Sequence, residues 1–276
     1  MRQTPCVLYI AVDSLIPQRG KSFAGLDEFT AALDHAGVPA VWVTNRSRLE
    51  FDAARRKLAH THPFITEGGS VVCMPEGYFH LKPDTTVRLG RFTCIPVAQV
   101  QPAAAHALEE LSEETGVAVV TLQALSPREL AQNTGLPQRE AELVRQRDFD
   151  ELFFFAGASD QDIVRFVTRG REKKLELRQH GVMWSLAIGA SLKKCLQSLS
   201  KLYDRALRYH PSITGVATVE DGSELLAACE RGILLTGSKK DAGCESLPHG
   251  PRLKRMALHD PEVWTILLEG VTSRNS

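Results

Sequence analysis

The sequence predicts an α/β protein built on an open parallel sheet, with an α+β unit inserted in its middle. Short apolar runs suited to strands buried on both faces alternate with helical stretches towards both ends of the chain. That alternation breaks between about residue 89 and residue 188. At 276 residues the chain also exceeds the usual ~100–150 residues of one domain. The expected division is a core formed by residues 1–88 and 189–276 and an insert formed by residues 89–188.

The elements follow in order. Cys6-Val7-Leu8-Tyr9-Ile10-Ala11-Val12 is a continuous apolar run ending at Asp13-Ser14, as a central strand would be. Leu26, Phe29, Leu33 and Ala36 recur at three- and four-residue spacing before Gly37, which marks a helix and its stop. Val38 to Thr44 reads as a second strand, followed by a helix over about 48–59 and a strand at Phe64-Ile65. Alternation of this kind implies parallel strands joined by right-handed crossovers. In the insert, a strand is expected near 92–100, a helix over about 102–115 and a strand over 117–122. Ser126-Pro127-Arg128-Glu129 opens another helix, with serine at the cap, proline in the first turn and an acid three residues after the serine. Gly135-Leu136-Pro137 breaks it and starts the next. Phe153-Phe154-Phe155 is a strand core, 160–168 a helix and 175–188 a pair of strands. The first rhythm then returns, with helices over 192–208 and 223–230 and strands at 213–217 and 232–235.

With 43% hydrophobic and 24% charged residues, the chain is neither disordered, collagen-like nor a disulfide scaffold. Its 33 basic residues balance 33 acidic ones, so the electrostatic footprint of a general nucleic-acid binder is missing and no nucleic-acid partner is expected. No apolar run approaches the ~18–20 residues of a membrane span, and the start lacks a signal-type apolar region, so a cytoplasmic protein with no membrane partner is expected. None of the six cysteines forms a C-x-x-C pair, and they are expected to be reduced and mostly buried. In open parallel sheets ligands bind at the carboxyl ends of strands, where the topology reverses. The residues to question are therefore Asp13, Ser14, Thr44, Asn45 and the segment after Ala217.

A buried strand ending in aspartate, a second ending in threonine, a later lysine and a late acidic loop resemble the haloacid dehalogenase-like (HAD) phosphatases. The resemblance sharpens to the mannosyl-3-phosphoglycerate phosphatase branch through Val43-Thr44-Asn45-Arg46-Ser47, Pro63 to Gly69, Pro75 to Phe79, and above all Leu125 to Ala131 running on through Thr134-Gly135-Leu136-Pro137 to Arg147-Asp148-Phe149-Asp150-Glu151. It runs in order from about residue 6 to residue 268. It implies a HAD-like Rossmannoid core with an inserted α+β cap domain, and a final helix opening near His259 to Trp264, with Trp264 packed on the core.

The resemblance also implies site residues. In the family an aspartate attacks phosphorus and a second aspartate two residues later protonates the leaving oxygen, by way of a phospho-aspartyl intermediate. Aligned by strand end, Asp13 falls on the acid/base position and Ala11 on the nucleophile, and a methyl group cannot attack phosphorus. Sliding the register to make Asp13 the nucleophile puts Leu15 at the acid position. Thr44 matches the residue that hydrogen-bonds the phosphoryl oxygens, and it also suits a helix cap. Lys193 matches the charge-neutralising lysine. Where the family has acids that hold Mg²⁺, this chain has Thr218 and Gly222, leaving Asp13 and Asp221 as weak ligands. Gly68 and Gly69 match a turn beside the site, and Arg145, Arg147 and Glu151 are cap positions suited to an anionic, hydroxylated ligand, as are Ser14 and Asn45 in the core. Lys239 and Lys240 add a further pair of cations in a late loop.

These matches and departures leave several readings open. The protein is a pseudophosphatase that binds a phosphorylated sugar or glycerate-type compound or a protein partner, a divergent Mg²⁺-dependent sugar-phosphate phosphatase with residual activity, or an interaction module.

Overall fold

The computed structural model describes residues 6–17, 22–80, 83, 85–237 and 253–272. Lys239, Lys240 and Cys244 lie outside them. The described residues form two sheets. The larger has nine strands: β1 (Cys6–Ala11), β2 (Ala40–Val43), β3 (Phe64–Thr66), β4 (Val71–Pro75), β5 (Val87–Leu89), β6 (Phe92–Pro96), and, after the insert, β11 (Ser212–Thr218), β12 (Arg231–Thr236) and β13 (Leu253–Ala257). The smaller is four-stranded and contains β7 (Val119–Thr121), β8 (Asp150–Phe155), β9 (Leu175–His180) and β10 (Met183–Ile188).

Strand order in the larger sheet is β13-β12-β11-β1-β2-β3-β4-β6-β5. Pairing is parallel from β13 through β3 and antiparallel from there to the β5 edge. Every residue of β1 is buried, as a strand covered on both faces requires. Its alternation sorts the side chains: Leu8 and Ile10 join the apolar cluster on one face with Trp42, Phe51 and Phe64, whereas Val7, Tyr9 and Ala11 join the other with Leu196, Leu199 and Tyr203. Helices α1 (Leu26–His35), α2 (Arg48–Lys57), α7 (Leu192–Leu207), α8 (Ser223–Ala228) and α9 (Val263–Thr272) accompany this sheet. Trp264 packs on the core, stacking on Phe29 at 4.9 Å and donating its indole N–H to the Ala24 carbonyl at 2.8 Å.

The smaller sheet packs its Phe153 and Leu186 face against α3 (Gln101–Thr115) and α6 (Asp160–Glu172). A second, smaller cluster gathers Leu152 with Leu130 of α4 (Pro127–Thr134) and Ala141 and Val144 of α5 (Gln138–Arg145). The Ser126–Glu129 capping box is formed, and Gly135 closes α4 in the left-handed conformation at φ 68°.

The fold is thus an α/β core with a parallel sheet and a second, antiparallel subdomain. One strand sits elsewhere than the sequence suggests. The run beginning at Phe92 pairs with β4 and β5 in the larger sheet, so the expected junction at 88/89 lies inside the β5–β6 hairpin. The chain crosses to the smaller sheet over 97–100 and returns over 189–191, and the two crossings run side by side, with Gln99 N–H donating to the Ile188 carbonyl at 3.0 Å. No helix among the described residues is long and apolar enough to cross a membrane.

Candidate functional site

Because β1 lies between β11 and β2 in parallel register, with Ala11 beside Val43 and Ile10 beside Val216, the loops that follow the three strands emerge at one edge. That edge is the switch point of the sheet. Asp13 lies there as the acceptor of a converging set of donors. The Thr44 hydroxyl donates to its Oδ1 in a short contact, and the Asn45 backbone N–H and side-chain amide donate to its Oδ2 at 2.8 and 3.0 Å. Arg46 Nε is 3.6 Å from Oδ1, and its guanidinium also reaches Glu50 at 3.7 Å and the Ile16 carbonyl. Across β1, the backbone N–H of Ser14 donates to Asp221 Oδ2 at 2.6 Å. Burial, reinforced by the Asp13 charge, raises the Asp221 carboxyl above its ordinary range, against the pull of that hydrogen bond.

Ala11 is only 3% exposed and belongs to the apolar cluster with Tyr9, Val43 and Cys195. Thr218 ends β11 with its hydroxyl buried and without a hydrogen-bond partner. Gly222 is pressed against that strand end, where a Cβ would lie 2.6 Å from the Thr218 carbonyl. Lys193 is exposed on the first turn of α7 and forms no ion pair with Asp13 among the described residues.

The turn between β3 and β4 carries three successive left-handed residues, Glu67, Gly68 and Gly69, at φ 50°, 60° and 91°. It holds the core to the insert. The buried Glu67 carboxylate accepts the backbone N–H groups of Asp148, Phe149 and Asp150 at 3.1, 2.8 and 3.1 Å. Arg48 pairs with Asp148 at 2.9 Å. Gly69 meets the start of α7, and its carbonyl accepts Ser191 N–H at 3.0 Å.

Three cap residues expected to face a ligand do not. Arg147 has a side chain only 3% exposed, clamped by Asp150 at 2.6 and 2.8 Å and by the Asn45 carbonyl at 2.8 Å, so its donors join cap to core. Glu151 pairs with Leu186 and therefore projects to the α3 and α6 face of the smaller sheet, where Gln101 donates to it. Side chains alternate along a strand, so a residue next to one that faces the core must face away. Arg145 is spent within the insert on Glu142 at 3.6 Å and the Gln123 carbonyl at 3.5 Å.

Side chains of β9 also approach the core. Arg178 extends over the glycine turn: a Cβ placed on Gly68 would lie 2.8 Å from its guanidinium and 3.2 Å from Asn45 Oδ1, and it pairs with Glu224 of α8 at 3.3 Å. His180 bonds Ser185 Oγ through Nε2 at 2.8 Å. Burial, with the Arg147 charge, pushes His180 down to about 4, while Asp150 and Asp13 pull the other way. Sequence reading passed over Glu67, Arg178 and His180. The only signal for the last two is the polar alternation of Glu176, Arg178 and His180 against Leu175 and Leu177, which a solvated strand face shares.

The buried charges set a pH dependence. Burial and then Asp150 push Glu67 up to about 8, against Arg147 and the amides, and burial pushes Glu151 up to about 7. Both raise stability at low pH and lose it as pH climbs through those values. Burial depresses His60 to about 3 and His180 to about 4, so their contribution is lost as pH falls below the ordinary value near 6.5. The two pairs oppose each other below pH 6.5, and above it only the glutamates act. Stability is expected to fall by about 2 kcal/mol between pH 6.5 and 8. Urea midpoints across that range check it, and Glu67→Gln should flatten most of the slope.

No protein-family model matches the chain. A glucosyl-3-phosphoglycerate/mannosyl-3-phosphoglycerate phosphatase of Methanococcoides burtonii is 22% identical over 188 residues, covering 68% of this chain and 66% of that protein, just under two thirds of its length. The Persephonella marina protein of the same description is 23% identical over 218 residues, 77% of each. Among solved structures, a HAD-superfamily phosphatase of Bacteroides thetaiotaomicron superposes with a TM-score of 0.62 at 16% identity, covering 97% of this chain and 96% of its own. A haloacid dehalogenase-like hydrolase of B. subtilis gives 0.54 at 14% identity, covering 83% and 88%. The fold, with its strand-end site beneath a second sheet, is that of the haloacid dehalogenase-like superfamily. In sequence the chain is similar to proteins described as mannosyl-3-phosphoglycerate phosphatases.

HAD phosphatases generally use Mg²⁺, a hard cation that takes oxygen ligands in octahedral array. The donors here do not fit it. Thr218 and Gly222 supply no charge, which leaves Asp13 and Asp221 as the acids at the matched positions, and among the described residues no group of three or more His, Cys, Asp or Glu side chains gathers to hold a metal.

Proposed function

We propose that this protein is a pseudophosphatase, a cytoplasmic HAD-fold protein that binds a phosphorylated sugar or glycerate-type compound at the ends of β1 and β2 without turning it over efficiently. One observation supports the reading: Ala11, which falls on the nucleophile position when the chain is aligned by strand end, packs its methyl into the apolar cluster behind the site. Loss of a nucleophile costs on the order of 10⁴–10⁶ in rate. The neighbouring Asp13 carboxylate accepts hydrogen bonds from Thr44 and Asn45, which must be broken or shared before it attacks or transfers a proton. Binding, in contrast, needs donors rather than a nucleophile, and Thr44, Asn45, Arg46 and Arg178 supply them. Such a protein acts as a sensor or as a regulatory partner of an active enzyme.

The similarity to two phosphatases over 68% and 77% of the chain favours a second reading, a divergent Mg²⁺-dependent phosphomonoester hydrolase with residual activity. Phosphate release from a panel of sugar phosphates and phosphoglycerate glycosides with Mg²⁺, run beside thermal shifts with the same compounds, separates the two. Turnover above about 0.1 s⁻¹, a tenth of the lower end of the usual enzyme range, overturns the pseudophosphatase reading. Stabilisation without turnover supports it, and neither effect points to a protein partner instead.

A further inference from the structure

We propose that Asp13 is an internal occupant of this chain's oxyanion cradle, and that a phosphate group binds there only by displacing the Asp13 carboxylate. The inference rests on the phosphate-binding reading above and deepens it by saying what holds the site shut.

The cradle is built from one turn. Thr44, Asn45 and Arg46 leave the end of β2 and run directly into α2, a ten-residue helix capped by Ser47, whose Oγ accepts Glu50 N–H. Backbone N–H groups and the helix dipole favour an anion at such a place. Four donors of that turn converge on one carboxylate: the Thr44 hydroxyl, the Asn45 backbone N–H, the Asn45 side-chain amide and, at 3.6 Å, Arg46 Nε. A carboxylate and a phosphoryl group ask for the same kind of donor, so the Asp13 side chain meets the demand that a bound phosphate would otherwise meet. Arg178 stands beside Gly68 from the opposite sheet, near the Asn45 side chain and paired with Glu224.

Asp13 is not locked away. Its side chain is 20% exposed, and the residue after it, Ser14, is exposed, so the carboxylate has room to leave while the donors stay in place on β2 and α2. While it remains, its charge opposes that of an incoming phosphate, and the donors are shared between the two. Removing the charge frees the cradle without touching the turn that builds it.

The test is calorimetric titration of inorganic phosphate into the full chain, comparing the native protein with Asp13→Asn and Asp13→Ala. Both variants are expected to bind phosphate at least about tenfold more tightly than the native protein, as charge-assisted donors are released. Adding Thr44→Val to Asp13→Asn should remove most of that gain. Asn keeps the size of Asp13 and one acceptor for the Thr44 and Asn45 donors, so this variant keeps the loop built even if Asp13→Ala loosens it. Folded variants that bind phosphate no more tightly than the native protein overturn the inference. If sugar phosphates or phosphoglycerate still stabilise the native protein in that case, the binding role stands and the internal occupant falls. A gain in phosphate affinity with no effect of those compounds on the native protein supports the occupant and removes the sugar or glycerate ligand.

Discussion

Glu67→Ala is expected to cost about 3–5 kcal/mol of folding stability, because it strands several buried hydrogen-bond donors at once. Three consecutive backbone N–H groups, from Asp148, Phe149 and Asp150, lose their acceptor in a buried place. A buried donor without a partner costs about 1–3 kcal/mol. The buried Arg147 guanidinium meanwhile loses a neighbouring acidic side chain but keeps Asp150. Urea unfolding followed by circular dichroism gives the value. A loss below about 1 kcal/mol, the size of an ordinary exposed contact, would show that water replaces the carboxylate and that the junction is wetter than its burial implies.

Gly69→Ala is expected to cost about 3 kcal/mol or more, far beyond the same change one residue earlier. A Cβ on Gly69 would lie 2.6 Å from the Leu192 backbone nitrogen and 2.8 Å from its Cα, and the residue sits at φ 91°. Neither obstacle yields easily, because the neighbour is the backbone opening α7, and non-glycine residues in such strained regions cost about 1–3 kcal/mol by themselves. At Gly68 the nearest atoms belong to the far end of the Arg178 side chain, which can move, and φ is 60°. Gly68→Ala should therefore cost about 1 kcal/mol. Similar losses at both positions, measured as denaturant midpoints, would mean that α7 shifts to make room.

The contrast between the two glycines shows what a sequence carries and what it does not. Gly-Gly after a strand marks a turn whatever follows, but which glycine meets a backbone depends on how α7, more than a hundred residues later, docks on it. The central strands were legible for a simple reason. A strand covered on both faces, such as β1, must be apolar throughout. The edge strands lack that mark: β5 is mostly exposed, and β13 buries only Met256 among Leu253 to Ala257. The run at Phe92 was visible as a strand, yet nothing local says which of two sheets an antiparallel strand will join.

The site divides in the same way. Asp13 and Thr44 could be picked out because they end strands flanking the point where the sheet reverses. Arg147 and Glu151 looked equally suitable for a ligand. Their directions are decided by pairing register and by Asp150, and register is a property of two strands at once. Glu67 gave no sign at all, since an acid in a turn is ordinary and only the folded chain brings three amides to it.

The paired crossings between the sheets have a mechanical consequence. The two segments are tied together at Gln99 and Ile188 and act as one strap rather than as two independent threads. Glu67 and Arg48 grip the segment around Asp148, and the Asp148 carbonyl accepts Gln101 N–H at 2.9 Å, so that grip is fastened to the strap itself. Pulling the smaller sheet from the core therefore loads the strap and the Asp148 contacts together.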